Sequence, residues 1–152
     1  MTRFAYCHFC DDIRLEVGHK ITLVGMYSGQ LLVPTFPAIL PKLCIVAFCA
    51  SPIETPLKSL IIRAKMNELV LQEITIGEAD LQQAFQTIEG SDSNSDCDEP
   101  FQQFQIGAHI VISPFIADCC TTLTVMVNAD GEEMMAGKLR IRQGEIPQQN
   151  AP

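Results

Sequence analysis

The sequence lacks a long apolar run. Its longest apolar stretches, residues 43–50 and 110–117, are far short of the roughly 20 residues that cross a bilayer. Ser113 and Pro114 also interrupt the second stretch. The N-terminus has no basic segment followed by an apolar run, as a secretory signal would. We therefore expect a cytoplasmic protein with no membrane association.

The common catalytic motifs are missing as well. The sequence has no Gly-x-Ser-x-Gly element, no P-loop and no dinucleotide-binding fingerprint. The available imidazole bases are His8, His19 and His109, and none lies in a recognisable nucleophile pattern. We expect no catalytic residues, no cofactor and no enzymatic activity.

Positive charge is absent from the middle of the chain. No Lys or Arg occurs between Lys65 and Lys138, although this stretch contains thirteen Asp and Glu residues. The flanks hold all ten Lys and Arg residues and five acidic ones, so the middle carries −13 and the flanks +5. No dense basic patch with aromatic platforms is visible, which argues against direct nucleic-acid binding.

The acidic middle supplies the first candidate binding residues, Asp92, Asp96, Asp98 and Glu99. We expect these four side chains to be exposed and to form a negative patch that attracts a basic protein partner. The alternative is that the acidity only keeps a small protein soluble.

The same segment resembles the start of a calcium loop, because acidic or amide side chains alternate from Asp92 to Asp98. Such a loop needs Gly at its sixth position and Glu at its twelfth. Those positions are Cys97 and Gln103, so we expect no metal site here.

Seven cysteines are spread along the chain. An odd number without a secretory signal indicates reduced thiols, and those in apolar runs are expected to be buried. Cys7 and Cys10 form a Cys-x-x-Cys, but a zinc site needs a second such pair. These two side chains would also lie on opposite faces of a strand, so a structural role is expected.

The remaining sequence predicts a mostly-β protein, an antiparallel β-sandwich of about eight strands with one short helix. The clearest strands flank Asp130-Gly131, a hairpin turn signal. Apolar residues at positions i, i+3, i+4 and i+7 predict the helix at 78–88. A single domain at 1–143 and a flexible tail at 144–152 complete the prediction. The predicted strands are 4–15, 20–33, 43–49, 59–66, 68–76, 101–112, 122–127 and 138–142.

A second group of candidate residues lies beside the first predicted turn. Asp11, Asp12, Arg14 and Glu16 are close in sequence to His19. Paired carboxylates can serve acid–base chemistry, and this cluster is the only basis for a small enzyme. The alternative is a set of ion pairs that fixes a turn or bulge, with Asp11, Asp12 and Arg14 as binding residues.

The opening third resembles an uncharacterised family of small bacterial and phage proteins. The resemblance is carried by Cys10-Asp11-Asp12-Ile13-Arg14, a Gly-x-Tyr at Gly25 and Tyr27, and Leu40-Pro41-Lys42-Leu43, with Glu16, Gly18, Lys20 and Leu23 between them. It implies a bacterial or phage origin and no mechanism.

These observations together predict a non-enzymatic binding module. A phage accessory protein that acts on a host protein through an acidic surface fits them, and homo-oligomerisation is left open. The alternatives are a small enzyme and a calcium- or zinc-dependent module.

Overall fold

The structure is a computed structural model that describes residues 2–92, 99 and 102–147. Within these residues the chain forms eleven strands and one helix. In chain order they are β1 (Phe4–Glu16), β2 (Lys20–Met26), β3 (Gln30–Val33), β4 (Ala38–Leu40), β5 (Leu43–Pro52), β6 (Leu60–Met66), β7 (Leu69–Ile76), α1 (Glu78–Asp92), β8 (Gln103–Ile112), β9 (Phe115–Ala117), β10 (Thr121–Ala129) and β11 (Glu132–Gln143).

The strands form two large sheets and one small ribbon. The four-stranded sheet has the order β2-β1-β5-β8, the five-stranded sheet has the order β3-β11-β10-β6-β7, and β4 pairs with β9. Inward side chains of both large sheets belong to one apolar core. The predicted mostly-β fold is confirmed.

Two details of the strand prediction are wrong. Residues 20–33 were expected to form one strand, but β2 ends at Met26 and β3 begins at Gln30 in the other large sheet. The chain crosses between the sheets through Gly29, whose φ of 87° suits glycine. Because of this crossing, β3 runs parallel to β11, so the fold is not wholly antiparallel.

Eight apolar residues of the predicted strands, those that the sequence pattern places on the inner side, are almost all buried. Seven of them are fully enclosed, namely Ile45, Ile62, Ile110, Val125, Val127, Leu139 and Ile141. Leu23 is only half-buried because β2 is an edge strand with a neighbour on one side. Strand β5 has a neighbour on each side, and every residue in it except Phe48 is buried.

The turn between β10 and β11 has the conformation that its sequence predicts. Asp130 and Gly131 both have positive φ, 52° and 90°, as a two-residue hairpin turn requires. The Val17-Gly18-His19 turn between β1 and β2 likewise has positive φ at Gly18 and His19. Both hairpins therefore follow from local turn chemistry.

Helix α1 begins at Glu78, as predicted, and extends to Asp92. Its Leu81 is buried, and its Phe85 ring meets Phe104 of β8 edge-on at 5.2 Å. The helix thus covers part of the core beside β8. No helix in the described part of the chain is long and apolar enough to cross a membrane. Strand β11 ends at Gln143, and residues 144–147 follow without regular structure.

Candidate functional site

The acidic motif of β1 is held by contacts with neighbouring elements. Asp12 forms a salt bridge with Lys42 at 2.5 Å, and its carboxylate also accepts a bond from the Ile13 backbone. These hydrogen bonds, the one from Lys42 foremost, lower the pKa of Asp12. Asp11 accepts a short hydrogen bond from the Tyr27 hydroxyl. Burial and this bond to Asp11 together raise the pKa of Tyr27.

Gly25 makes the close approach of Asp11 feasible. Its φ is 66°, and a Cβ at this position would lie 2.2 Å from a carboxylate oxygen of Asp11. The Cys44 thiol donates to the Asp11 carbonyl at 3.6 Å, and Cys44 lies opposite Cys10 across β1 and β5. Five of the residues that carry the resemblance therefore lie together beside β1, namely Asp11, Asp12, Gly25, Tyr27 and Lys42.

The predicted cluster beside the first turn is divided in the structure. Arg14 is exposed and forms no salt bridge within the described ranges. His19 lies at the hairpin tip, where it lines a cavity with Glu16 but without Asp11 or Asp12. The arrangement therefore favours the ion-pair interpretation of Asp11 and Asp12, which fix the junction of three strands.

Six cysteines lie in the described ranges, and all six are free. Cys44 and Cys49 are buried, as predicted, whereas Cys119 and Cys120 are exposed. Burial raises the pKa of the Cys10 thiol to about 11. No group of three or more His, Cys, Asp or Glu side chains in the described residues could hold a metal ion.

The acidic candidates fall mostly outside the described residues. Glu99 is exposed, in agreement with the prediction for this residue. Asp92 ends α1, but its side chain lies outside the description, as do Asp96 and Asp98. The negative patch as a whole therefore stays a prediction.

A basic surface that the sequence analysis missed covers the outer side of the five-stranded sheet. Leu123, Val125 and Val127 of β10 point into the core, so Thr122 and Thr124 lie on the opposite side. We call this outer side the basic face. It carries half of the ten Lys and Arg residues of the chain, namely Arg63, Lys65, Lys138, Arg140 and Arg142.

The register of three strands sets the spacing of these cations. Thr124 of β10 is opposite Lys65 of β6 on one side and Lys138 of β11 on the other. Arg140 is opposite Thr122 in the next row. A small hydroxyl side chain thus lies between long cationic side chains.

Most of this positive charge is not neutralised locally. Arg63 donates to Glu73 at 2.6 Å and also approaches Glu133 at 3.7 Å. The other four cations form no salt bridge in the part of the chain that the structure describes. Lys138, Arg140 and Arg142 are exposed to solvent. Five positive and two negative side chains give this face an excess of positive charge.

A small concavity of about 190 Å³ lies on the basic face. Its walls offer two cations, one carboxylate, an amide, a hydroxyl and a thioether, from Arg63, Lys65, Glu133, Asn67, Thr124 and Met126. Apolar side chains are also present on the face, among them Met135, which is 53% exposed. Because Arg63 is already paired with Glu73 and Glu133, Lys65 is the cation of this concavity that can meet a carboxylate on a partner.

Part of the signal for this face is visible in the sequence. The alternation of Arg63 with Lys65, and of Lys138 with Arg140 and Arg142, places each set on one side of its strand. The sequence does not show that β6 and β11 both pair with β10. This pairing brings together the two ends of the stretch that lacks Lys and Arg.

Comparison with known proteins gives no family for the chain. No family model, no curated protein and no solved structure matches it.

Proposed function

We propose that this protein is a non-enzymatic interaction module that binds an acidic protein partner through its basic face. The observation that carries the proposal is a set of four cations, Lys65, Lys138, Arg140 and Arg142, on one sheet surface of a protein with net charge −8; none of the four forms a salt bridge within residues 2–92, 99 and 102–147. Such a local patch complements carboxylates on a partner and fixes its orientation.

The chemistry of the face favours a protein over a nucleic acid. Met126 and the exposed Met135 lie among the cations, and methionine and arginine are enriched at protein interfaces. The net charge of −8 also repels a long polyanion, whereas a short acidic segment of a protein meets mainly the local field.

Aromatic side chains that could stack on bases lie on the other large sheet. Tyr6 of β1 stacks on Phe48 of β5 with ring centroids 5.0 Å apart, and on Phe4 at 6.2 Å. A single-strand binding site needs cations and aromatic platforms on one surface. Their separation onto two sheets supports the expectation that nucleic acid is not the ligand.

We also propose a second binding surface, which is suited to a basic partner. It is the acidic segment with Asp92, Asp96, Asp98 and Glu99. A cytoplasmic location and a bacterial or phage origin, with a host protein as the partner, complete the proposal. The exposed Glu99 supports the second surface.

The test uses the full chain and a fluorescein-labelled oligoglutamate peptide, whose binding is followed by fluorescence anisotropy. We expect saturable binding that weakens as salt rises from about 0.05 to 0.5 M. The variant Lys138→Gln/Arg140→Gln should bind about tenfold more weakly, because two charge contacts are lost.

The matched control is Arg14→Gln/Lys58→Gln, which also removes one Lys and one Arg. Both of these side chains are exposed, and neither forms a salt bridge in the described ranges. The control should bind within about twofold of the wild type. Equal losses in both variants, or tighter binding of duplex DNA than of the peptide, would overturn the proposal.

A further inference from the structure

A second recess lies on the opposite sheet, between the β1–β2 hairpin and the outer side of the four-stranded sheet. Its volume is about 630 Å³, within the range of sites for small organic ligands. Apolar side chains of Leu15, Ile21 and Phe48 line it together with polar ones. It shares no lining residue with the concavity on the basic face.

The floor of this recess is fixed by packing. Phe48 is opposite Gly107 of β8, and a Cβ at Gly107 would lie 2.8 Å from the Phe48 ring. The absent side chain leaves room for the ring beside β8, while Tyr6 stacks on it from β1. The ring is thus held by two neighbours, and its remaining surface offers an apolar wall to a ligand.

Residues with nitrogen-bearing side chains line the recess on two sides. His19 and Lys20 approach from the hairpin, and His109 approaches from β8. The turn places His19 at the tip, with φ of 82° at Gly18 and 58° at His19. The carboxylate of the recess, Glu16, already accepts a hydrogen bond from Thr22 at 2.9 Å. Three residues that can donate hydrogen bonds thus line the recess beside one carboxylate that already has a partner.

We infer that this recess binds a small organic anion, a carboxylate or phosphate with an apolar or aromatic body. The acidic group would meet the Lys20 ammonium and the imidazoles of His19 and His109, and the body would lie against Phe48 and Leu15. Hydrogen bonds to an ionised group are stronger than those between neutral groups, which matters in a site that is only partly enclosed. The inference concerns a different sheet and a different ligand class from the proposed protein-binding face.

The probe is 1-anilinonaphthalene-8-sulfonate, which joins an anionic group to an aromatic body and fluoresces when it leaves water. We expect saturable binding with a dissociation constant below about 1 mM. The variants Lys20→Gln and His109→Gln should each weaken binding by about fivefold to tenfold. The control Lys58→Gln lies outside the recess and should change probe binding less than twofold.

Displacement of the probe separates the two acid classes. Phenylacetate and phenyl phosphate are titrated in parallel, and the tighter competitor identifies the preferred acidic group, while inorganic phosphate should displace little because it has no apolar body. The variant Lys138→Gln/Arg140→Gln should leave probe binding intact. Absence of saturable binding, an equal loss in the control variant, or loss of binding in the basic-face variant would overturn the inference without bearing on the protein-binding proposal.

Discussion

Asp130 joins three segments that are distant in sequence. One carboxylate oxygen accepts hydrogen bonds from the backbone N–H groups of Lys58 and Ser59, at 2.9 and 2.8 Å. The other forms a salt bridge with Arg3 at 2.8 Å. Asp130 also occupies a positive-φ position in the hairpin turn. Its side chain therefore fixes both the turn and the loop that leads into β6.

Replacing Asp130 by Ala should lower the free energy of unfolding by about 2–3 kcal/mol, because two backbone donors and a guanidinium lose their acceptor. Asp130→Asn should cost about 1 kcal/mol, since the amide oxygen still accepts and Asn tolerates positive φ. Urea denaturation measures both. Asp118→Ala is the control, because Asp118 is exposed and forms no salt bridge within the described ranges.

The difference in unfolding free energy between the wild type and Asp130→Asn should depend on pH, because the pKa of Asp130 is shifted. Burial alone would raise that pKa, but the bonds from Lys58 and Ser59 and the charge of Arg3 outweigh it, so the pKa is lowered. The extra stability is therefore present above the ordinary Asp value of about 3.9 and is lost as the pH falls towards the lowered pKa. A wild-type advantage over Asp130→Asn that stayed constant from pH 6 down to about pH 2.5 would contradict this role.

At the scale of elements, the junction of β1 and β2 depends on one glycine. Gly25 has a φ of 66° and lies against the Asp11 carboxylate. A methyl group there is disfavoured twice, by the backbone conformation and by the collision with Asp11. The hydrogen bond from Tyr27 to Asp11 depends on the same approach.

Gly25→Ala should therefore destabilise the protein by more than about 1 kcal/mol, as measured by thermal or urea unfolding. Gly90→Ala is the control, because Gly90 lies within α1 without a positive φ and an added Cβ would meet nothing within 4 Å. Alanine there should leave the protein as stable as the wild type or slightly more stable. Equal effects at the two positions would show that the approach of Asp11 to Gly25 is not a constraint.

Local patterns in the sequence predict the strands and the helix well, and long-range pairing poorly. The alternation in β10 and the turn at Asp130-Gly131 are signals within a few residues of each other, so the hairpin is confirmed. The break between β2 and β3 depends on which sheet each strand joins. The strands β4 and β9 have three residues each, too few to show a period.

The same limit applies to the candidate sites. The contacts of Asp12 with Lys42 and of Asp11 with Tyr27 connect strands that are separated in sequence, so periodicity alone could not reveal them. The basic face needs the register of β6, β10 and β11. The recess beneath the hairpin needs the position of Phe48 and His109 on two other strands.

At the scale of the whole molecule, charge of opposite sign is segregated. The basic face contains Lys and Arg residues from both ends of the stretch between Lys65 and Lys138. That stretch itself has no Lys or Arg and holds thirteen carboxylates. Some of these carboxylates neutralise cations, as Glu73 and Glu133 do with Arg63. The chain as a whole carries a net charge of −8, which opposes the approach of any acidic partner to the basic face.

This opposition yields a prediction that separates two roles of the acidic segment. Changing Asp92, Asp96 and Asp98 to Asn and Glu99 to Gln removes four negative charges, which brings the net charge from −8 to −4. If the segment only sets the overall field, the oligoglutamate peptide should associate roughly two to five times faster at about 0.02 M salt. The gain should vanish near 0.15 M, where screening limits the reach of a charge to about 8 Å.

Stopped-flow anisotropy measures these association rates, and circular dichroism checks that the variant folds. A faster rate at low salt, with an unchanged rate at high salt, is the expected result. A rate that is unchanged at all salt concentrations would mean that the acidic segment lies too far from the basic face to influence it.

An oligolysine peptide tests the second surface in parallel. If this basic peptide binds Asp92, Asp96, Asp98 and Glu99, its affinity should fall in the variant that lacks these four charges. Its affinity should stay unchanged in Lys138→Gln/Arg140→Gln.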